Sequence, residues 1–342
     1  MMSRKWTYGL LIVLLFVGAA MVVSATGQKQ SATDFFKGKT INFVVTNDPG
    51  SGFDTYTRTL APYIQKYIPG STVIVTNVPD AGGIIGQNQV YKAAPNGLTI
   101  CMTSGAGMML AQLRKLPGVQ YDLAKQVWLG RVASETHVLV VSKNSPFKSF
   151  KDVMAYKEPF RFSGSGVGSD DYIAVAILAD ALKLPLTQVV GYEESGEWLA
   201  IVKGEVWGGQ GSWGTVRQFV EEGDVLPVLQ ITTARDPLLP NVPTVTEVVD
   251  AGHLGIAKAI AGLFAFDRVI CAPPGIDADR VKVLRDAVSK SFGDPGYQAD
   301  LVKVKRVHRP ASGAETEQIM KDAFAQADQL SEILATLPIV ED

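Results

Sequence analysis

Pro49, Gly50, Ser51, Gly52, Phe53 and Asp54 sit where a chain could hold an anion without a formal positive charge. The run before them, residues 40–45, is β-branched and apolar, the composition of a buried strand. After them Tyr56, Leu60, Ile64, Tyr67 and Ile68 recur at helical spacing with Phe53. A strand, a glycine loop and a helix start together bring first-turn N–H groups to one point. Those groups have no intrahelical acceptor, and the helix dipole favours negative charge beside them. No Lys or Arg lies between Lys39 and Arg58, so an anion here would be held by dipoles. The same pattern also describes a plain β-to-α turn, in which Asp54 serves as the helix N-cap.

Groups that would do covalent chemistry are sparse. The three histidines, His137, His253 and His308, have neither a second histidine four residues away nor a neighbouring cysteine, so no metal-ligand spacing is present. Ser104, Ser165 and Ser212 each lack a flanking glycine that a nucleophile elbow requires. Gly164, Gly166 and Gly168 have the wrong spacing for a dinucleotide fingerprint, and no phosphate loop ending in Gly-Lys occurs. Glycine loops therefore outnumber catalytic groups, which suits binding better than catalysis, and no cofactor or metal is implied.

These loops need strands and helices to position them. Strand-like runs at 40–45, 72–77, 98–102, 138–141, 160–163, 188–190, 225–232 and 263–271 alternate with helical patterns. That alternation predicts an α/β chain with parallel sheets covered by helices. Helices are expected at 150–156, through Ile173, Ile177 and Leu178, at 197–203, and at about 277–292 and 313–335. Residues 1–25 read separately: Arg4 and Lys5, an apolar stretch from Tyr8 to Val23, and a Val23-Ser24-Ala25 cleavage site make a secretory signal peptide. An uncleaved membrane anchor is the other reading, because no charge occurs between Lys5 and Lys29. The remaining roughly 315 residues suggest two domains. With 19% charged residues and a net charge of −2, nothing points to nucleic acid. Cys101 and Cys271 end strand-like runs; export would permit a disulfide, and two buried free thiols fit equally.

Several motifs in order resemble the receptor family of the tripartite tricarboxylate transporters, also called Bug proteins. They are Pro49, Gly52 and Asp54, then Asn77, Pro79, Ala81, Gly82, Gly83 and Gly86, then the run from Ala93 to Thr99. Further matches are the loop 163–169, the run 228–235 and the stretch 239–247. The resemblance covers essentially the whole mature chain. It implies a two-domain, type II periplasmic-binding-protein-like fold with a ligand cleft between the lobes. Domain 1 would be discontinuous, 38–138 and 230–342, and domain 2 would span 139–229.

The function implied is capture of a small organic acid between the lobes by an exported, monomeric, periplasmic receptor, and delivery to membrane permease subunits. A ligand-presenting subunit for a signalling kinase and an enzyme on the same two-lobe architecture are the alternatives. Ligands bind beyond the carboxyl ends of strands in open α/β sheets. The first lobe would therefore contribute Pro49, Gly50, Ser51, Gly52, Phe53 and Asp54, with Ala81, Gly82, Gly83 and Ser104. The second would contribute Ser163, Ser165, Gly166, Ser169 and Asp170, with Tyr192 and Gln210. Ser169 and Asp170 could equally be helix caps, and Phe53 and Tyr192 ordinary core aromatics. One departure stands out. Where relatives carry a small, glycine-rich stretch after Tyr192, this chain has Glu193-Glu194-Ser195-Gly196-Glu197-Trp198, with Asp170 and Asp171 in the same lobe. Acidic residues are also favoured at solvated helix starts; carboxylates that instead face the cleft would disfavour a tricarboxylate such as citrate and leave a monocarboxylate or a ligand of mixed polarity.

Overall fold

The computed structural model describes residues 31–166, 169–192, 194–327, 330 and 334–335. The expected signal peptide lies outside these residues, as does Glu193. Strand β1 (Thr40–Val45) alternates its side chains between two cores, as the period of a strand requires. Ile41, Phe43 and Val45 pack on one side with Tyr56, Leu60 and Ile64 of the helix Gly52–Tyr67, and Val44 packs on the other. β2 (Thr72–Asn77) and β3 (Thr99–Thr103) run parallel to β1 on either side of it. β4 (Val127–Arg131) lies further along the same sheet.

The chain then enters a second lobe through β5 (His137–Ser142). There β6 (Phe160–Ser163) and β7 (Leu186–Val189) form a parallel pair, and β8 (Gly208–Ser212) pairs antiparallel with β5. β9 (Val225–Gln230) runs antiparallel to β5 on its other side and brings the chain back. β10 (Val269–Ala272) and the short β11 (Ala311–Ser312) complete the first sheet, whose order is β11-β4-β10-β3-β1-β2. The fold is thus the two-lobed α/β architecture, with the sheets mixed rather than wholly parallel. β10 is antiparallel to both β3 and β4, because the helix Leu254–Ala265 delivers it from the same edge at which β3 ends.

That delivery corrects one expectation. Residues 263–265 end a helix instead of beginning a strand, since Leu254–Ala265 is apolar nearly all round and only the pair Asp267-Arg268 separates its apolar run from β10. β8 was not anticipated at all. It is built of Gly208, Gly209, Gln210, Gly211 and Ser212, and glycine carries no strand signal. The glycines serve packing: a Cβ on Gly208 would lie 2.4 Å from the Val140 carbonyl oxygen, and one on Gly209 would lie 2.3 Å from Ser163 Oγ. Cys101 and Cys271 are free and face each other directly across β3 and β10. Both are fully buried beside Gln87 and Gln126, whose side chains hydrogen-bond to each other at 2.8 Å.

Candidate functional site

β1, β2 and β3 end at the same edge of the first sheet, and antiparallel β10 begins there. The loops after three strands and the residues before a fourth therefore converge. They form one wall of a cavity of about 800 Å³ whose other wall is the second lobe. The first lobe lines it with Thr46, Asn47, Asp48, Gly52, Phe53, Pro79, Ala81, Gly82, Ser104, Asp267 and Arg268. The crossing strand β5 contributes His137, and the second lobe contributes Ser165, Gly166, Ser169, Asp170, Asp171, Tyr192, Glu197, Trp198, Gln210 and Ser212.

In the first wall, Ser51 caps the helix Gly52–Tyr67, its Oγ accepting the Asp54 N–H at 3.2 Å. The N–H groups of Gly52 and Phe53 belong to the first turn, have no intrahelical acceptor, and sit on residues that line the cavity. Asp54 is not the cap. Its buried carboxylate turns back to accept from the Gly50 N–H at 2.9 Å, from Arg58 at 2.9 Å and from Asn77 at 3.0 Å. Burial pushes this carboxyl up, but Arg58, Gly50 and Asn77 outweigh it and hold the group below its ordinary range. Asp54 thus fixes the loop from behind.

The next loop carries three successive positive φ angles, at Ala81, Gly82 and Gly83. Nothing lies within 4 Å of a Cβ placed on Gly82, which lines the cavity, so the backbone there is open to a ligand. Gly83 faces the other way: a Cβ on it would lie 2.8 Å from the Thr46 carbonyl oxygen. Ser104 caps the helix Gly105–Leu113 and donates to Asp170 Oδ2 at 3.1 Å, a hydrogen bond from one lobe to the other.

In the second wall, Ser169 caps the helix Asp170–Ala181 and ties down Gly166. Asp170 is the first helical residue, not the cap, and its half-buried carboxylate faces the cavity. Burial, then the neighbouring charges of Asp267 and Asp171, raise its carboxyl to about 6. Asp171 is engaged by the Ser165 N–H at 2.8 Å and the Ser165 hydroxyl at 3.1 Å. Glu197 accepts from the buried Ser163 hydroxyl at 2.8 Å. Gln210 Nε2 lies 2.6 Å from His137 Nδ1, and the His137 ring stacks on Phe264.

Arg268 was not anticipated. Its Nη1 lies 2.6 Å from Asp267, its Nη2 3.1 Å from Glu135, and Nη2 also donates to Ser212 across the lobes at 3.1 Å. Burial works against its charge, yet Glu135 and Asp267 hold the proton more firmly than usual. The signal existed in the sequence: Asp267-Arg268 is a charged pair inside an apolar run, where unpaired charge would be costly.

Of the anticipated residues, the structure brings Gly52, Phe53, Ala81, Gly82, Ser104, Ser165, Gly166, Ser169, Asp170, Tyr192 and Gln210 to the cavity. Pro49, Gly50, Ser51, Asp54, Gly83 and Ser163 are not among its lining residues. Ser51 and Asp54 spend their side chains on the loop and helix start, Gly83 packs on Thr46, and Ser163 is sealed under Glu197. Pro49 and Gly50 lie on the outer side of the turn, where both are exposed.

Two α/β lobes face each other across a cavity lined by helix starts, the architecture of proteins that enclose a small solute. More narrowly, residues 57–335 match the tripartite tricarboxylate transporter family receptor, and the chain belongs to that family. One relative, the UPF0065 protein in the gbd 5′ region of Cupriavidus necator, is 26% identical over 302 residues, covering 84% of this chain and 87% of the relative. Among solved structures, the periplasmic binding protein BugD superposes with a TM-score of 0.70 at 20% identity, covering 89% of this chain and 99% of BugD. MatC from Rhodopseudomonas palustris, solved with bound malate, gives 0.70 at 23% identity, covering 86% of this chain and 99% of MatC.

Proposed function

We propose that this receptor captures a small organic carboxylate between its lobes, outside the cytoplasmic membrane, and delivers it to permease subunits of a tripartite tricarboxylate-type transporter. The observation that carries the reading is the first wall. Gly52 and Phe53 present unpaired first-turn N–H groups, and Gly82 leaves its backbone open, around one cavity. Backbone donors at a helix start suit a carboxylate without needing a side-chain cation. MatC, of the same fold, holds malate, which supports a ligand of this kind. The lobes would be residues 38–138 with 230–342, and residues 139–229, joined through β5 and β9. Residues 1–25 would direct export. No helix among the described residues is long and apolar enough to cross a membrane.

Calorimetric titration with a panel of small carboxylates tests this. Saturable one-to-one binding without turnover is expected. A ligand at about a hundred times its Kd should stabilise the fold by about 2.7 kcal/mol. A panel without a binder, or a ligand chemically consumed on mixing, would overturn the reading.

A further inference from the structure

The second wall differs in character from the first. Carboxylates lining the cavity come from Asp48, Asp170, Asp171, Glu197 and Asp267, against the guanidinium groups of Arg114 and Arg268. Arg268 is already committed to Asp267 and Glu135. Asp171 is held by the Ser165 N–H and hydroxyl, and Glu197 by Ser163. Asp170 is placed otherwise. Its hydrogen bonds come from the Ser104 hydroxyl and from the Asp171 N–H at 2.9 Å, and both donors are neutral. Asp267 and Asp171 repel its charge; His137 and the Arg268 guanidinium offset it from a distance, without a hydrogen bond to it, and Arg268 spends its own bonds on Asp267, Glu135 and Ser212.

A carboxylate so placed, half out of water and beside two others, calls for a cation, and the open side of Asp170 is the cavity itself. A second ligand carboxylate there would meet like charge in a partly desolvated cleft, at a cost of several kcal/mol. An ammonium would meet the complementary field and gain a charge-assisted hydrogen bond.

We propose that Asp170 reads a protonated amine on the ligand, so that the receptor takes an amino-substituted monocarboxylate in preference to a di- or tricarboxylate. The carboxylate end lies against the Gly52, Phe53 and Gly82 backbone, and the ammonium end lies against the second lobe. This rests on the carboxylate-capture reading above and assigns the other half of the same cleft.

The test uses four matched series, each of about three to six carbons: unsubstituted acids, their amino-substituted and hydroxy-substituted forms, and the dicarboxylates of equal length. Affinities are measured by calorimetry near neutral pH on the parent protein and on Asp170→Asn, which keeps the size and one acceptor. The parent should bind the best amino acid at least about tenfold more tightly than its unsubstituted partner, and its dicarboxylate more weakly still. In Asp170→Asn that preference should fall to about one. A tightest-binding dicarboxylate would overturn the proposal. A hydroxy acid binding as tightly as the amino acid would overturn the requirement for charge. An amino preference that survives in Asp170→Asn would remove Asp170 as its reader. Binding of unsubstituted acids without any gain from the amine sinks this inference alone, whereas a panel without any binder sinks the carboxylate reading with it.

Discussion

Two glycines side by side, Gly82 and Gly83, have opposite duties, and substitution should separate them. Both hold positive φ, so any side chain strains the turn. At Gly82 the added atoms project into open space on the ligand side. Gly82→Ala should therefore cost about 1 kcal/mol of stability while weakening ligand binding more than about tenfold. At Gly83 they would strike the Thr46 carbonyl, so Gly83→Val should cost about 3 kcal/mol or more and reduce the yield of folded protein. Denaturant melts and calorimetry on both variants check the contrast, and equal stability losses would refute it. Asp170 makes a second prediction with a definite sign. Its carboxyl is raised in the folded state to about 6 by burial and by Asp267 and Asp171, so its ionisation costs stability as pH rises through that value. Ser104, Asp267 and His137 face it from the neighbouring elements, with Asp171 on its own helix. Asp170→Asn should leave ligand-free stability nearly unchanged near pH 4. Well above pH 6 it should raise it by about 1 kcal/mol, after allowance for solvent screening. Urea midpoints at the two pH values decide it; a variant less stable at the higher pH would show that the charge is compensated.

At the scale of elements, legibility followed side-chain content. β1, β2 and β6 were bounded correctly because β-branched and aromatic residues fill them, and the loops at their carboxyl ends led directly to Gly52, Phe53 and Gly82. β8 was invisible because its information lies in what is missing: room for Phe162, Ser163 and Trp198 to approach its backbone. Gln210 was nonetheless anticipated by resemblance, without the strand that carries it. Arg268 escaped because residues 263–271 read as one strand, so the charged pair Asp267-Arg268 looked like an interruption of it and not the boundary between helix Leu254–Ala265 and β10. One cap was misassigned, Asp54 for Ser51, and Ser169 was left level with Asp170, since Ser and Asp cap comparably and only the backbone tells which does. The packing reading of β8 predicts that Gly209→Ala forces Ser163 off Glu197 and destabilises the second lobe by about 1–3 kcal/mol. Thermal melts of the variant check this, and an unchanged midpoint would mean that Ser163 yields freely.

For the molecule as a whole, the paired thiols of Cys101 and Cys271 act as a record of history. They lie opposite each other in the central sheet, fully enclosed, with the Cys101 thiol pushed well above its ordinary pKa by burial and by its neighbour. Once the sheet has closed, neither a thiolate nor an oxidant can reach them. A maleimide should therefore leave both unlabelled in the native protein and label both after denaturation; rapid labelling of native protein would show that the sheet opens. A disulfide between these free thiols could therefore form only while the chain is unfolded. Intact-mass measurement of the denatured protein then dates folding against the chain's first encounter with oxidants, a clock that stops when the sheet forms and cannot be reset without unfolding it.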